Sequence, residues 1–318
     1  DKMMKLKLLI ILTLLSIFGF ACSSSDTTTS TSTSTSTSTS TVTPGIQVVN
    51  VSDNVSTTDI ETWTTTAAAK MSSQTANILI VSWDIGAATT DIASNGNFNT
   101  YTVLLTTTQI DSLMTSISTW FDTTCMTSTG KTEALALYRG YITNGADVAS
   151  HYQMCGEYRL VFMGFPTSMS AATTKSVILH ELYHALQHDI GDETCVTTRE
   201  SNSDSNFDWL VEGAAQYHAK IESLGSSTGV NTVLKEALAE YNSDSNASIT
   251  SSGVATRGAA GIRYLIEKGG LTEASILDGS FFHSCGSETN YTNSNDNVTS
   301  TKSNWYKILN SSESYSFQ

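Results

Sequence analysis

The sequence predicts an α+β fold, a small mixed sheet followed by a mainly helical half. Three observations predict it. Short apolar runs rich in β-branched residues fall before residue 166, at Asn77–Trp83, Tyr101–Thr106 and Tyr158–Phe165. After Pro166 the apolar spacing becomes that of helices. One of those helices carries His180-Glu181-Leu182-Tyr183-His184, whose two histidines, four residues apart, share a helix face.

Residues 1–21 read as a signal peptide. Lys2, Lys5 and Lys7 supply a basic start, and Leu8–Phe20 is an apolar run, short for a membrane span and followed by polar sequence. The stretch Gly19-Phe20-Ala21-Cys22 resembles a bacterial lipobox, in which the Cys is lipidated and becomes the mature N-terminus. It lacks the usual Leu three residues before the Cys, and a plain secretory signal peptide is the alternative. Residues 22–44 then form a tether: Ser23–Thr43 is an almost unbroken Ser/Thr alternation with nothing to bury, closed by Pro44-Gly45. The expected address is the bacterial cell envelope, lipid-anchored to the membrane through Cys22, or else the secreted fraction.

The chain has 318 residues, 39% hydrophobic and only 14% charged, enough apolar material for one sizeable core. Its formal net charge of −14, with no basic run beyond the N-terminus, excludes nucleic acid as a partner. Beyond Cys22 there are Cys125, Cys155, Cys195 and Cys285, an even number in an oxidising compartment. Two disulfides are expected, with three connectivities open. No C-x-x-C spacing suggests a zinc ribbon or a redox site.

Residues 45–157 are expected to form an α+β part and residues 158–318 a catalytic part. Ile110, Leu113, Met114, Ile117 and Trp120 have helical spacing, giving a helix over Thr108–Phe121 between the second and third strands. Past Pro166, Ser170 is a helix N-cap for a helix running to about Asp189. Further helices are expected over Phe207–Leu224, Val230–Tyr241 and Val254–Lys268, each bounded by glycine or polar sequence, with a last one around Trp305–Leu309.

The chemistry centres on the histidine helix. His180 and His184 can offer both imidazoles to one metal ion, and Glu181 sits beside that face, where its carboxylate reaches a water at the ion. A catalytic zinc needs a third ligand. The metzincin continuation is excluded, because its glycine position is Gln187 and its third-histidine position Ile190. His188 lies a further turn along, but the helix face drifts by about 40° every four residues, so it reads as a helix-end residue near the last carbonyls. Glu212 is the better candidate: it lies on a separate helix, in Trp209-Leu210-Val211-Glu212-Gly213-Ala214-Ala215-Gln216-Tyr217. A carboxylate from a second helix completes a two-histidine, one-glutamate tripod with an open position. The Gly-Ala-Ala run lets the two helices approach, and Gln216 is placed to bond a ligand histidine and fix its tautomer.

HExxH followed by a W-L-x-E-G-x-A-x-Y helix resembles the gluzincins, the thermolysin-like peptidases, and Arg263-Tyr264-Leu265-Ile266-Glu267-Lys268-Gly269-Gly270 is similar to a helix end common in that group. The resemblance spans about Tyr158–Gly270 and departs at Ala255, Gly258 and Gly269. It implies a zincin-like fold, one zinc ion per chain held by His180, His184 and Glu212, and Glu181 as the general base of peptide-bond hydrolysis. It also implies that Tyr158–Phe165 is the sheet edge on which an extended peptide substrate pairs. Tyr264, His218 and His283 are open alternatives for the donor that stabilises the oxyanion. The competing readings are a catalytically silent surface lipoprotein acting as an adhesin or binding module, and a purely structural metal. Against both, Glu181 is retained, a base that a structural site does not need.

Overall fold

A computed structural model describes residues 45–71, 76–89, 100–190, 208–250, 254–282 and 296–318. The signal peptide, Cys22, the tether, Cys195, Cys285 and His283 lie outside the described residues. In chain order the elements are β1 (Gly45–Asn50), α1 (Thr57–Ala68), β2 (Asn77–Ala88), β3 (Tyr101–Val103), α2 (Thr107–Phe121), α3 (Ser128–Thr143), β4 (Ala149–Cys155) and β5 (Tyr158–Pro166). Then follow α4 (Ala171–Ile190), α5 (Asp208–Leu224), α6 (Ser226–Ser243), α7 (Ala255–Lys268), α8 (Glu273–Leu277), α9 (Asp296–Asn304), β6 (Ile308–Ser311) and β7 (Ser314–Phe317). The fold is α+β, with a mixed sheet preceding a run of helices. No helix among the described residues is long and apolar enough to cross a membrane.

The sheet order is β1-β2-β5-β4, with β3 also paired to β2. β1, β2 and β5 are parallel, and β4 runs antiparallel to β5. The sheet therefore draws strands from both sides of residue 157. It also corrects the expected edge: Tyr158–Phe165 lies inside the sheet, between β2 and β4, and the edge beside the helical half is β4. Both faces are covered, which is why β2 and β5 read as unbroken apolar runs. Ile78, Ile80, Val161, Met163 and Phe165 pack on one face with residues of α1 and α4. Leu79, Val81, Trp83, Leu160 and Phe162 pack on the other with α2 and α3.

Side-chain caps start these helices where the sequence signals them. Thr106 and Gln109 form a capping box at α2, and the Ser170 hydroxyl accepts the Thr173 N–H at 3.2 Å before α4. α4 buries Ile178, Leu179, Leu182, Tyr183 and Leu186 at 1% exposure or less, turning its other face toward α5 and β4. Cys125 is bonded to Cys155, which ties the segment after α2 to the end of β4. That excludes the two connectivities lacking this pair.

The close helix approach expected from Gly213 is real, but its partner is α7, not α4. A Cβ on Gly213 would lie 2.4 Å from the carbonyl carbon of Gly258, and one on Gly258 would lie 2.5 Å from the Trp209 carbonyl oxygen. Backbone stands on both sides, so no side chain can yield. Gly213→Val is expected to destabilise the fold by about 3 kcal/mol or more, read as a fall in the denaturant midpoint. Gly140→Ala, where a Cβ meets nothing within 4 Å, is the control that should not fall.

The C-terminal expectation is corrected as well. Trp305–Leu309 is not a helix: α9 ends at Asn304 and a β6–β7 hairpin follows, pairing Ile308 with Phe317.

Candidate metal centre

One turn of α4 sets the His180 and His184 rings 4.6 Å apart, centroid to centroid, at 80° to each other. Their Nε2 atoms approach to 3.0 Å. Glu212, from the first half of α5, brings Oε2 to 3.3 Å from His180 Nε2 and 3.4 Å from His184 Nε2. The structure thus brings the three predicted ligands together, and they form a group that can hold a metal ion. The triangle is the right size for zinc. Ligand bonds of about 2.0–2.1 Å in tetrahedral arrangement put neighbouring ligand atoms about 3.3 Å apart, and the three edges are 3.0, 3.3 and 3.4 Å. Two imidazoles with one carboxylate also suit zinc better than calcium or magnesium, which prefer all-oxygen shells.

The outer nitrogens of both rings are engaged. His180 Nδ1 lies 3.1 Å from Gln216 Oε1, as the sequence led us to expect, one turn along α5 from Glu212. His184 Nδ1 lies 2.8 Å from Gln187 Oε1. The Gln187 amide nitrogen donates to the Val211 carbonyl at 3.2 Å, which leaves its oxygen as the acceptor toward the ring. With an ion bound, each imidazole would keep its proton on Nδ1 and direct the Nε2 lone pair at the centre. In the sequence Gln187 registered only as a departure from the metzincin glycine. Its position three residues after His184 on one helix was the signal for its role.

Glu181 is 8% exposed. Burial raises its pKa, and the Glu212 charge adds to this, while His180, His184 and the backbone N–H of His151 pull it back. A raised carboxylate is the better proton acceptor near neutral pH. Burial by itself would lift Glu212, yet its hydrogen bonds to the two imidazoles, and their charge, hold it far below the usual carboxylate range. Burial works against a charge on His184, but the Glu212 hydrogen bond and the charges of Glu212 and Glu181 hold it up to about 9. The two carboxylates thus favour positive charge between the rings, as a cation site requires.

His151 was missed at the sequence level. It lies on β4, its ring stacked on His184 with centroids 5.3 Å apart, and its backbone N–H serves Glu181. A cleft of about 480 Å³ opens beside His180 and Glu181, between α4, α5 and α6.

Two of the three oxyanion candidates lie elsewhere. The Tyr264 hydroxyl pairs with Ser300 Oγ at 2.9 Å, and its ring rests on Phe317. His218 is 1% exposed, packed on Tyr183, and neither ring nitrogen has a hydrogen-bond partner among the described residues. The backbone of His188 continues α4.

His218 carries a prediction of its own. Burial, helped by the charges of Lys70 and His180, pulls its pKa down to about 3, against about 6.5 in an unfolded chain. Between those values the unfolded chain binds a proton that the folded chain refuses. Stability is therefore expected to fall as pH drops from about 6.5 toward 3, by on the order of 3–5 kcal/mol from this residue. His218→Phe should flatten the pH dependence of urea unfolding across pH 4–6. An unchanged slope would show that His218 does not set it.

No protein-family model, curated protein or solved structure matches this chain.

Proposed function

We propose that this protein is a zinc-dependent metallopeptidase of the gluzincin type on a zincin-like fold, hydrolysing peptide bonds with Glu181 as general base. The observation that carries the reading is the convergence of His180 Nε2, His184 Nε2 and Glu212 Oε2 on a tetrahedral edge length, with a buried carboxylate next to them. When bound, one zinc ion supplies Lewis acidity, polarising a substrate carbonyl and making water acidic enough to lose a proton near pH 7. Glu181 takes that proton as the water oxygen bonds to the carbonyl carbon, and returns it to the leaving amine nitrogen as the C–N bond breaks. Its burial and the His151 N–H hold the carboxylate in place for both transfers. Gln216 and Gln187 keep the two histidines in one tautomer, so Nε2 stays available to the ion.

The edge strand supports a peptide as substrate. β4 borders the centre and has no strand on its outer side among the described residues, so an extended chain can pair with it. Recognition of this kind reads backbone, and leaves side-chain choice to the cleft. We further propose that the domain works at the cell envelope, lipid-anchored through Cys22 with residues 23–43 as its tether, which would place its substrates outside the cytoplasm.

A quenched-fluorescence peptide library incubated with the purified chain tests the reading. Cleavage is expected, is expected to stop when zinc is stripped with a chelator, and to return when about one equivalent of zinc is restored. Cleavage that survives complete removal of metal would exclude the mechanism.

A further inference from the structure

We infer that the cleft beside the metal centre selects a substrate side chain tipped with an uncharged amide, Gln or Asn, and that the Lys220–Glu236 pair reads it. This rests on the peptidase reading for the identity of its occupant.

Glu212, Gln216 and Lys220 occupy successive turns of one face of α5. Of these, Gln216 and Lys220 line the cleft, together with the metal ligand His180, Glu181 and, from α6, Glu236. There Lys220 Nζ meets Glu236 Oε1 of α6 at 2.7 Å, with the Lys220 side chain 15% exposed and that of Glu236 39%. An ammonium has three donors, and Glu236 takes one of them. Val177 and Ala149 give the cleft apolar wall, beside the hydroxyl-bearing Thr173, Ser176 and Thr232.

These features discriminate by charge and by hydrogen bonding. The Lys220–Glu236 pair is neutral overall but offers unused donors on Lys220 and an unused carboxylate oxygen on Glu236. A substrate carboxylate would meet the Glu236 charge, and an ammonium or guanidinium would meet Lys220. An apolar tip would strip water from the pair without replacing it, leaving the remaining Lys220 donors and the second Glu236 oxygen unmet, the situation that sites built for hydrogen bonding reject most strongly. A primary amide satisfies both sides: its oxygen accepts from Lys220, and its NH₂ donates to Glu236. The methylenes of Gln or Asn lie against Val177 and Ala149.

The test uses the zinc-loaded chain carrying Glu181→Gln, which holds substrate without turning it over, and acetylated, amidated Ala-Xaa-Ala peptides with Xaa as Gln, Glu, Lys or Leu. Titration calorimetry is expected to show the Gln peptide binding at least about 10-fold more tightly than the other three. Adding Lys220→Met, which leaves Glu236 alone, should move the preference to Lys. Adding Glu236→Gln, which leaves Lys220 alone, should move it to Glu. A parent preference for Leu, Glu or Lys, or a preference that neither substitution moves, would overturn the inference. The same four residues in a cleavable library, with the unmodified chain, separate the two readings. Cleavage without amide preference removes the pocket assignment and keeps the peptidase. Amide-selective binding without any cleavage keeps the pocket and removes the peptidase.

Discussion

Glu181→Gln is expected to lower kcat for peptide hydrolysis by about 10³-fold, within the range that a positioned general base supplies, while the bound zinc stays at its parent level. The substitution conserves volume at a site only 8% exposed, and the amide oxygen can still accept the His151 N–H. What disappears is the ability to take a proton. Steady-state kinetics and elemental analysis on one preparation check both halves. A variant as active as its parent would remove Glu181 from the mechanism, whatever the metal content.

The second large effect concerns the ion itself. Glu212→Ala is expected to weaken zinc binding by well over 100-fold, because it deletes one of three protein ligands. Gln187→Ala should weaken it by about 10- to 100-fold, the usual effect of losing a residue that orients a ligand. Competition against a chelating dye measures both. The order matters more than either value: a ligand must outrank its orienter. Equal losses would instead indicate a general loosening of α4. Glu212 is also exposed enough, at 41% of its side chain, for its removal to leave the surrounding core packed.

The parts of the site carried by helices were legible in the sequence, because the 3.6-residue period fixes what shares a face. His180 and His184 needed only their spacing, and Gln216 needed only its place one turn after Glu212. The pairing of Glu212 with α4 could be read from motif resemblance but not from periodicity. β4 was not legible. As Ala-Ser-His-Tyr-Gln-Met-Cys it is an edge strand with few aliphatic residues, so it lacks the apolar run that marks β2 and β5. The better signal was the two-residue turn that follows it, Gly156-Glu157, with Gly156 at φ +51° joining Cys155 to Tyr158. Missing β4 meant missing His151 and placing the sheet edge on β5.

The C-terminal hairpin was hidden for a related reason. Its turn, Ser312-Glu313, has both residues at positive φ, 52° and 66°, where Asn-Gly is the usual sequence signal. Neither residue advertises that conformation, and the apolar spacing around Trp305 mimicked a helix. Gly258 shows the opposite case. As a departure from the gluzincin pattern it weakened the resemblance, yet in the fold it is the residue that lets α7 cross α5 at Gly213. The position of Glu212 depends on that crossing, so Gly213 and Gly258 support the centre without touching it.

X-ray absorption at the zinc edge, with elemental analysis of the same purified chain, tests whether His180, His184 and Glu212 hold a zinc ion. About one zinc per chain is expected, ligated only by nitrogen and oxygen at about 2.0–2.1 Å, with the scattering pattern of two imidazoles, and loss of the ion in His184→Ala. A chain that retains far less than one zinc after exposure to the ion, or whose zinc is ligated by sulfur, would contradict it.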